Sequence, residues 1–374
     1  MLLFAMLAIA APAQATFPGK NGKIAFTRIQ EHENGEIWSM DPDGSALTKL
    51  TDATGFENDF GGDVAPKWSP DGKRILFGRS SGLPGRDGLL IMDADGSNQA
   101  RIGGSAGATW SPDGQKITVA ECADDCDVDE INPDGSGRTL LAHGGSQPAW
   151  SRDGTKLAFV TCCYPNENIS TMNADGSGRR VLTRGFGPEW GPGDIIAFDR
   201  RDGAPQYDQE VFTINADGTG ENRITDNLEH DSHLGWSPGG DRLLYWSIAN
   251  IFNPGHSRLT TVDSDGTDPF VITTDVIGGE WSPDGTKLAF EDEGGLGVIG
   301  VDGTARSKLT APDLSREIHD VSADWQPIPP PKRGDYKNAA QFCKAEREFW
   351  GDTSFAQRHG GGANAHGQCV RTSR

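Results

Sequence analysis

The chain has 374 residues, 54 acidic and 34 basic, giving a formal net charge of −20. So acidic a body excludes nucleic acid and anionic membrane surfaces as its general partners. Its 50 glycines and 22 prolines exceed the usual share and point to a fold dense in turns.

Residues 1–15 read as a signal peptide. An apolar run from Leu2 to Ala11 is followed by Ala13-Gln14-Ala15, the form of a cleavage site, although the usual basic start is missing. The run is too short to span a bilayer, and no later stretch is long enough either, so the expectation is an exported protein that is not membrane-embedded. Its location would be periplasmic, cell-envelope or extracellular.

Residues 16–328 are organised by a repeat. Seven tryptophans, Trp68, Trp110, Trp150, Trp190, Trp236, Trp281 and Trp325, end short apolar segments at intervals of 42, 40, 40, 46, 45 and 44 residues by subtraction. That period is the length of one propeller blade. Each Trp opens a turn, most fully in Trp68-Ser-Pro-Asp-Gly72, Trp110-Ser-Pro-Asp-Gly114 and Trp281-Ser-Pro-Asp-Gly285. There Pro presets φ, Asp bonds to the backbone and Gly accepts a positive φ. A β-branched and aromatic run follows, such as Arg74-Ile-Leu-Phe77 or Lys156-Leu-Ala-Phe159, and reads as a strand. A third run ends in a second turn, Asp41-Pro-Asp-Gly44 or Asn173-Ala-Asp-Gly176, which is a hairpin signal. A short fourth segment such as Lys49-Leu-Thr51 completes the unit. Seven Asp-Gly turns resemble calcium-loop starts, but the third carboxylate position and distal Glu of such a loop are missing.

The ends of the array are complementary. Pro18-Gly-Lys-Asn-Gly-Lys-Ile-Ala-Phe26 begins at the turn and second strand, whereas Ala323-Asp-Trp-Gln-Pro327 supplies a Trp segment with no strand after it. Pairing them closes the ring and removes exposed edges. The fold expected is all-β, a seven-bladed β-propeller whose N- and C-terminal strands share a blade. A six-bladed ring would leave one unit unpaired.

The pattern Trp-Ser-Pro-Asp-Gly-Lys-(Ile/Leu)-x-Phe followed by Asp/Asn-x-Asp-Gly resembles the repeats of TolB-type, WD-repeat-like β-propellers of bacterial envelopes. It covers residues 18–328, with departures at Arg152, Gly191-Pro-Gly-Asp194 and Gly239-Gly240. The resemblance implies an interaction or ligand-binding module and names no partner. Gly78-Arg-Ser-Ser-Gly82 and Gly103-Gly-Ser-Ala-Gly107 match the nucleophile-elbow spacing without its strand-to-helix setting. The 49 residues after Trp325 leave no room for a hydrolase domain like that of prolyl-oligopeptidase-like enzymes.

Six cysteines fit an oxidising compartment. Cys122 and Cys126 flank a loop in one blade, and Cys162 and Cys163 lie at the same place in the next. A Cys122–Cys126 bridge is the first expectation, with a pairing across the blades from Cys162 or Cys163 as the alternative. Adjacent Cys162 and Cys163 spoil the spacing of a zinc site. Cys343 and Cys369 make the third pair.

Two loops stand apart from the repeat. Glu229-His-Asp-Ser-His233 precedes Trp236 and Ile318-His-Asp320 precedes Trp325, so His230 and His319 both lie six residues upstream and Asp231 and Asp320 five. Equal offsets place them on one face of two blades, with His233 beside them, at the mouth of the central channel. Glu189, Glu280 and Asp324 directly precede their Trp residues and would line the same channel. Imidazole with carboxylate suits a divalent metal or acid–base work. Blades two and three, with Ala108-Thr109 and Pro148-Ala149, offer nothing comparable.

After Trp325, residues 329–335 continue a proline-rich linker beginning at Pro327, and residues 336–374 form a small cysteine-bracketed module. Tyr336, Ala340, Cys343 and Phe349 lie along one face of a single expected helix that Gly351 can stop. The module resembles one found at the ends of some actinobacterial exported proteins. It is too small for a robust core and would be stapled by Cys343 and Cys369. The functional expectation is a monomeric, non-catalytic exported propeller, with no cofactor, binding a protein, peptide or glycan of the cell envelope at its channel face. The alternative is a polysaccharide lyase or hydrolase using the His/Asp set, as in some seven-bladed relatives of this repeat.

Overall fold

A computed structural model describes residues 17–373 apart from 30–33, 54–60, 81–86, 104–106, 123–125, 162–165, 202–208, 250–256, 293–294, 311–318 and 360–364. Residues 1–15, where a signal peptide is expected, and the pair Cys162 and Cys163 therefore lie outside the described residues.

Seven antiparallel four-stranded sheets make the ring. Six are built from consecutive strands over residues 62–103, 108–143, 145–184, 186–223, 230–274 and 278–308, and we number them blades 1 to 6. Blade 7 takes its first strand, His319–Ile328, from the end of the array. Its other strands, Lys20–Ile29, Glu36–Met40 and Thr48–Lys49, come from the start. The expected closure by both chain ends is the observed one.

The Trp that ends each first strand is the wedge between blades. Trp68 packs with Ala25, Ile37 and Leu50 of blade 7 as well as with Ile75 and Phe77 of its own sheet. Trp325 likewise joins Ile24 and Phe26 to Ala289 and Val298 of blade 6. All seven are at most 9% exposed. Truncating a buried Trp to Ala typically costs 3–5 kcal/mol, so the periodic Trp is explained by the core before any chemistry is considered. Trp110 and Trp281 also donate their indole N–H to the carbonyls of Lys67 and Gly235, each the residue before the preceding blade's Trp.

Successive strands alternate direction, so both kinds of Asp-Gly turn fall on one face and the connections into the Trp strands fall on the other. On the turn face the carboxylates are already occupied. Asp43 accepts from the Ser45 N–H at 2.9 Å and its hydroxyl at 2.6 Å, and Asp95, Asp134, Asp175, Asp217, Asp265 and Asp302 repeat the arrangement with Ser or Thr two residues on. Those hydroxyls, followed by the backbone N–H groups, hold the carboxyls below their ordinary pKa. They are turn residues, as the missing calcium-loop positions require.

The departures from the repeat are linked in space. Arg152, standing where the turn would have Pro, skips blade 4 and donates to the carbonyls of Ser237 and Pro238 at 2.8 and 3.0 Å. A Cβ on Gly240 would lie 3.2 Å from the same guanidinium, so the turn at Gly239-Gly240 makes room for it. Asp241 then replaces the missing turn Asp by accepting from Ser237 Oγ at 2.6 Å. At Gly191, the start of the third departure, a Cβ would sit 2.4 Å from the Trp236 ring.

Residues Ile328–Arg374 form a second compact unit. Helix α1 (Ala339–Arg358) is capped by the Asn338 side chain, which accepts from the Gln341 N–H at 2.9 Å. Gly351, at φ 74° and ψ 163°, breaks it as the sequence suggested, but the chain then resumes the helix. Helix α2 (Ala365–Thr372) goes beyond the single helix expected. Its eight residues, with Gly367 among them, are too few for a periodic signal and are held by burial of Ala365 and Cys369. The Cys343–Cys369 bridge joins the two helices.

Candidate functional site

The residues directly before the Trp of blades 1, 4, 6 and 7 interact with one another. Lys67 Nζ of blade 1 approaches Asp324 Oδ1 of blade 7 at 3.5 Å. Burial opposes the lysine's charge, but Asp324, then Glu280 of blade 6 and Glu189 of blade 4, hold its pKa above the ordinary value. Only the central channel can bring those blades together. Glu189, Glu280 and Asp324 are thus gathered around Lys67, which sequence reading passed over although it shares their offset.

Two of these carboxylates also serve the backbone. Asp324 Oδ2 accepts from the Trp68 N–H at 2.6 Å, and Glu189 Oε1 accepts from the Trp236 N–H at 3.1 Å. Each pins the first strand of the next blade. Gly235, at φ 148°, lies beside the Glu189 carboxylate in a backbone conformation that residues with a side chain rarely adopt. Glu189 is 1% exposed, and its Oε2 has no hydrogen-bond partner. Burial pushes its pKa up to about 7, only partly opposed by His233, the Trp236 N–H, Arg152 and Lys67.

His233 lies beside it. Its Nδ1 meets Asp199 Oδ1 at 2.7 Å, while the far side of the ring is buried against the Gly187 backbone. Burial disfavours the charged ring, yet Asp199 and then Glu189 raise its pKa overall. Asp199 also accepts from the His233 N–H, Ser232 Oγ and Gln209 Nε2. The group can store a proton, but its polar atoms mainly bind one blade to the next. Asp199 was not legible in the sequence. Its equivalent roles are taken by Glu291, which accepts from the Ser322 N–H, and by Thr27, which accepts from the Ala65 N–H. At both of those N–H groups, φ is positive.

The equal offsets of Asp231 and Asp320 do give equivalent places, and Asp63 is a third. All three are at most 2% exposed. Asp320 grips Arg28 through Nε at 2.6 Å and Nη2 at 2.8 Å, and Asp63 grips Arg79 in the same bidentate way. Opposite Asp231 the register places Ser247 instead of an arginine. Asn227 donates to Asp231 Oδ2 at 2.6 Å, and the hydroxyls of Ser247 and Thr225 lie beside the carboxylate. Burial pushes this carboxyl up to about 6 against the hydroxyl and amide groups around it. His230 is partly buried and His319 exposed, each heading its strand on a separate blade.

Cys126 is disulfide-bonded, and Cys122 lies directly across from it in the strand register. The side chain of Cys122 lies outside the described residues, as do Cys162 and Cys163. Among the described residues, the one close trio of metal-capable groups lies far from this chemistry in sequence, at Glu346, His359 and Cys369. Cys369 is bridged to Cys343, so its sulfur is not a thiolate. No helix among the described residues is long and apolar enough to cross a membrane.

No family model matches the chain. It is 30% identical over 138 residues to a TolB homologue of Chlorobium luteolum, a stretch covering 36% of this chain and 30% of that relative. The match thus spans under a third of the relative's length. Among solved structures it is similar to TolB from Acinetobacter baumannii, with 16% identity, a TM-score of 0.51, and coverage of 81% of this chain and 82% of that one. It is also similar to an oligogalacturonate lyase solved with manganese, at 15% identity and a TM-score of 0.56 over 79% of this chain and 87% of that one. In repeat sequence and in fold, the chain is a seven-bladed β-propeller resembling the TolB type.

Proposed function

We propose that the protein is exported and acts as a non-catalytic propeller, binding a protein, peptide or glycan of the cell envelope on its channel face. The observation that carries this reading is the commitment of the axial acids to the ring, where Asp324 and Glu189 hold the backbone of the neighbouring blades. The connections on that face leave Leu228 91% exposed and Ile277 52% exposed, beside the exposed acids Asp226 and Asp275. Exposed apolar groups rimmed by charge suit a macromolecular partner. The reading requires no cofactor.

A second reading, a polysaccharide lyase, is favoured by the fold likeness to the manganese-bound oligogalacturonate lyase and by the buried Asp199–His233 pair near Glu189. One experiment separates them. The oxidised mature protein is assayed for stoichiometric metal and for unsaturated product from oligogalacturonides with manganese, alongside His230→Ala and His319→Ala. The binding reading expects neither metal nor product. A metal equivalent lost in either variant, together with product, would contradict it.

A further inference from the structure

The C-terminal unit carries a cluster that the propeller chemistry does not use. Cys343 and Glu346 are three residues apart, on one face of α1; His359 caps that helix, and Cys369 comes from α2. Glu346 Oε2 meets His359 Nε2 at 2.9 Å and lies 3.5 Å from Cys369 Sγ. One donor atom from each of these three residues falls within 4.8 Å of the others. Cys343 adds a fourth, since its sulfur is bonded to that of Cys369. Both cysteines are 0% exposed, and the Glu346 and His359 side chains are 13% and 15% exposed.

In the disulfide, Cys369 Sγ has no proton, so its approach to the carboxylate is only a contact. As a thiol it becomes a donor, and as a thiolate a ligand. A tetrahedral zinc-class ion, with sulfur at about 2.3 Å and nitrogen or oxygen at about 2.0–2.2 Å, needs donor pairs roughly 3.3–3.8 Å apart. The 3.5 Å from Glu346 to Cys369 falls within that range and the 2.9 Å to His359 just below it, and opening the bridge lets the two sulfurs separate to fit it.

We propose that this unit is a thiol-gated metal site: in its dithiol form Cys343, Cys369, His359 and Glu346 hold one divalent cation of the zinc class. A dithiol reductant supplies the electron pair and protons that turn the Cys343–Cys369 bond into two thiols, and is itself oxidised to a disulfide. The cation then displaces both thiol protons, while the imidazole binds as the neutral ring. Two thiolates with an imidazole favour zinc over hard cations that prefer oxygen. Disulfide and metal would be alternative staples for a unit too small to hold itself together by core burial.

The test uses the full chain, reduced with a phosphine, freed of reductant without air, and titrated with cobalt(II) while the thiolate-to-metal absorption band is followed. Because the propeller has four other cysteines, the reading is the difference from the double variant Cys343→Ser/Cys369→Ser. One more equivalent is expected in the parent chain, lost on reoxidation and weakened by more than about tenfold in His359→Ala. Zinc should also restore the far-ultraviolet helical signal that reduction diminishes. Equal stoichiometry in the parent and double variant, or parental affinity in His359→Ala, would overturn the proposal.

Discussion

Replacing Asp320 with Ala is expected to remove about 3–5 kcal/mol of stability, the usual cost of breaking a buried ion pair by deleting one partner. The substitution strands the Arg28 guanidinium, which the carboxylate holds by two hydrogen bonds while it lies 4.9 Å over the Trp38 ring. The pair also joins positions 292 residues apart, the two chain ends that complete blade 7. Denaturant unfolding should show the loss at a reduced midpoint. His319→Ala, next door but exposed, should stay within about 0.5 kcal/mol. The double variant Arg28→Leu/Asp320→Leu should recover much of the loss, because it leaves no unpaired charge. An Asp320→Ala protein as stable as the parent would remove the pair from any role in closure.

Glu189→Gln is expected to stabilise the protein at pH 8 by on the order of 2–3 kcal/mol, with the gain fading toward pH 4. Burial raises the Glu189 carboxyl from an ordinary 4.5 to about 7, so between those values the native state holds a proton that the unfolded chain has released. Its stabilising contribution is complete below the unfolded pKa and is lost as pH rises through the folded one. Gln keeps an acceptor for the Trp236 N–H without the buried charge. Glu291, also raised to about 7 by burial, and Asp231, raised to about 6, add slopes of the same sign. Thermal unfolding across this range checks the prediction. If Glu189→Gln is less stable at pH 8, the ionised carboxylate is instead held by Lys67, His233 and Arg152.

What was legible in the sequence was what repeats. Trp68 to Trp325 gave the blades because each buries the same wedge, and the two half-units at Phe26 and Trp325 gave the closure because strands need partners. The offset before Trp also brought Glu189, Glu280 and Asp324 to the axis. Lys67 shares that offset yet reads alone as a solvated charge, since its partners come from blades far along the chain. Asp231 and Asp320 look alike until their second strands are compared. Arg28 holds one, while Ser247 faces the other, and nothing near Asp320 in sequence reveals an arginine at the opposite end of the chain. Asp199 and the fit of Arg152 to Gly240 depend on cross-blade geometry that no local pattern encodes. In the tail, Cys343 and Cys369 were legible as a pair, but Glu346 and His359 gather around them only through the packing of α1 on α2.

Binding at the channel face is tested most directly by capture from the native envelope or medium with three tagged proteins: the parent, Leu228→Asp/Ile277→Asp on the channel face, and Val181→Asp on the outer strand of blade 3. Val181 is 57% exposed, so it controls for loss of a surface apolar group elsewhere. The expected result is one partner retained by the parent and by Val181→Asp but lost, at unchanged stability, by the channel-face variant. Retention by the channel-face variant, or loss confined to Val181→Asp, would contradict the account.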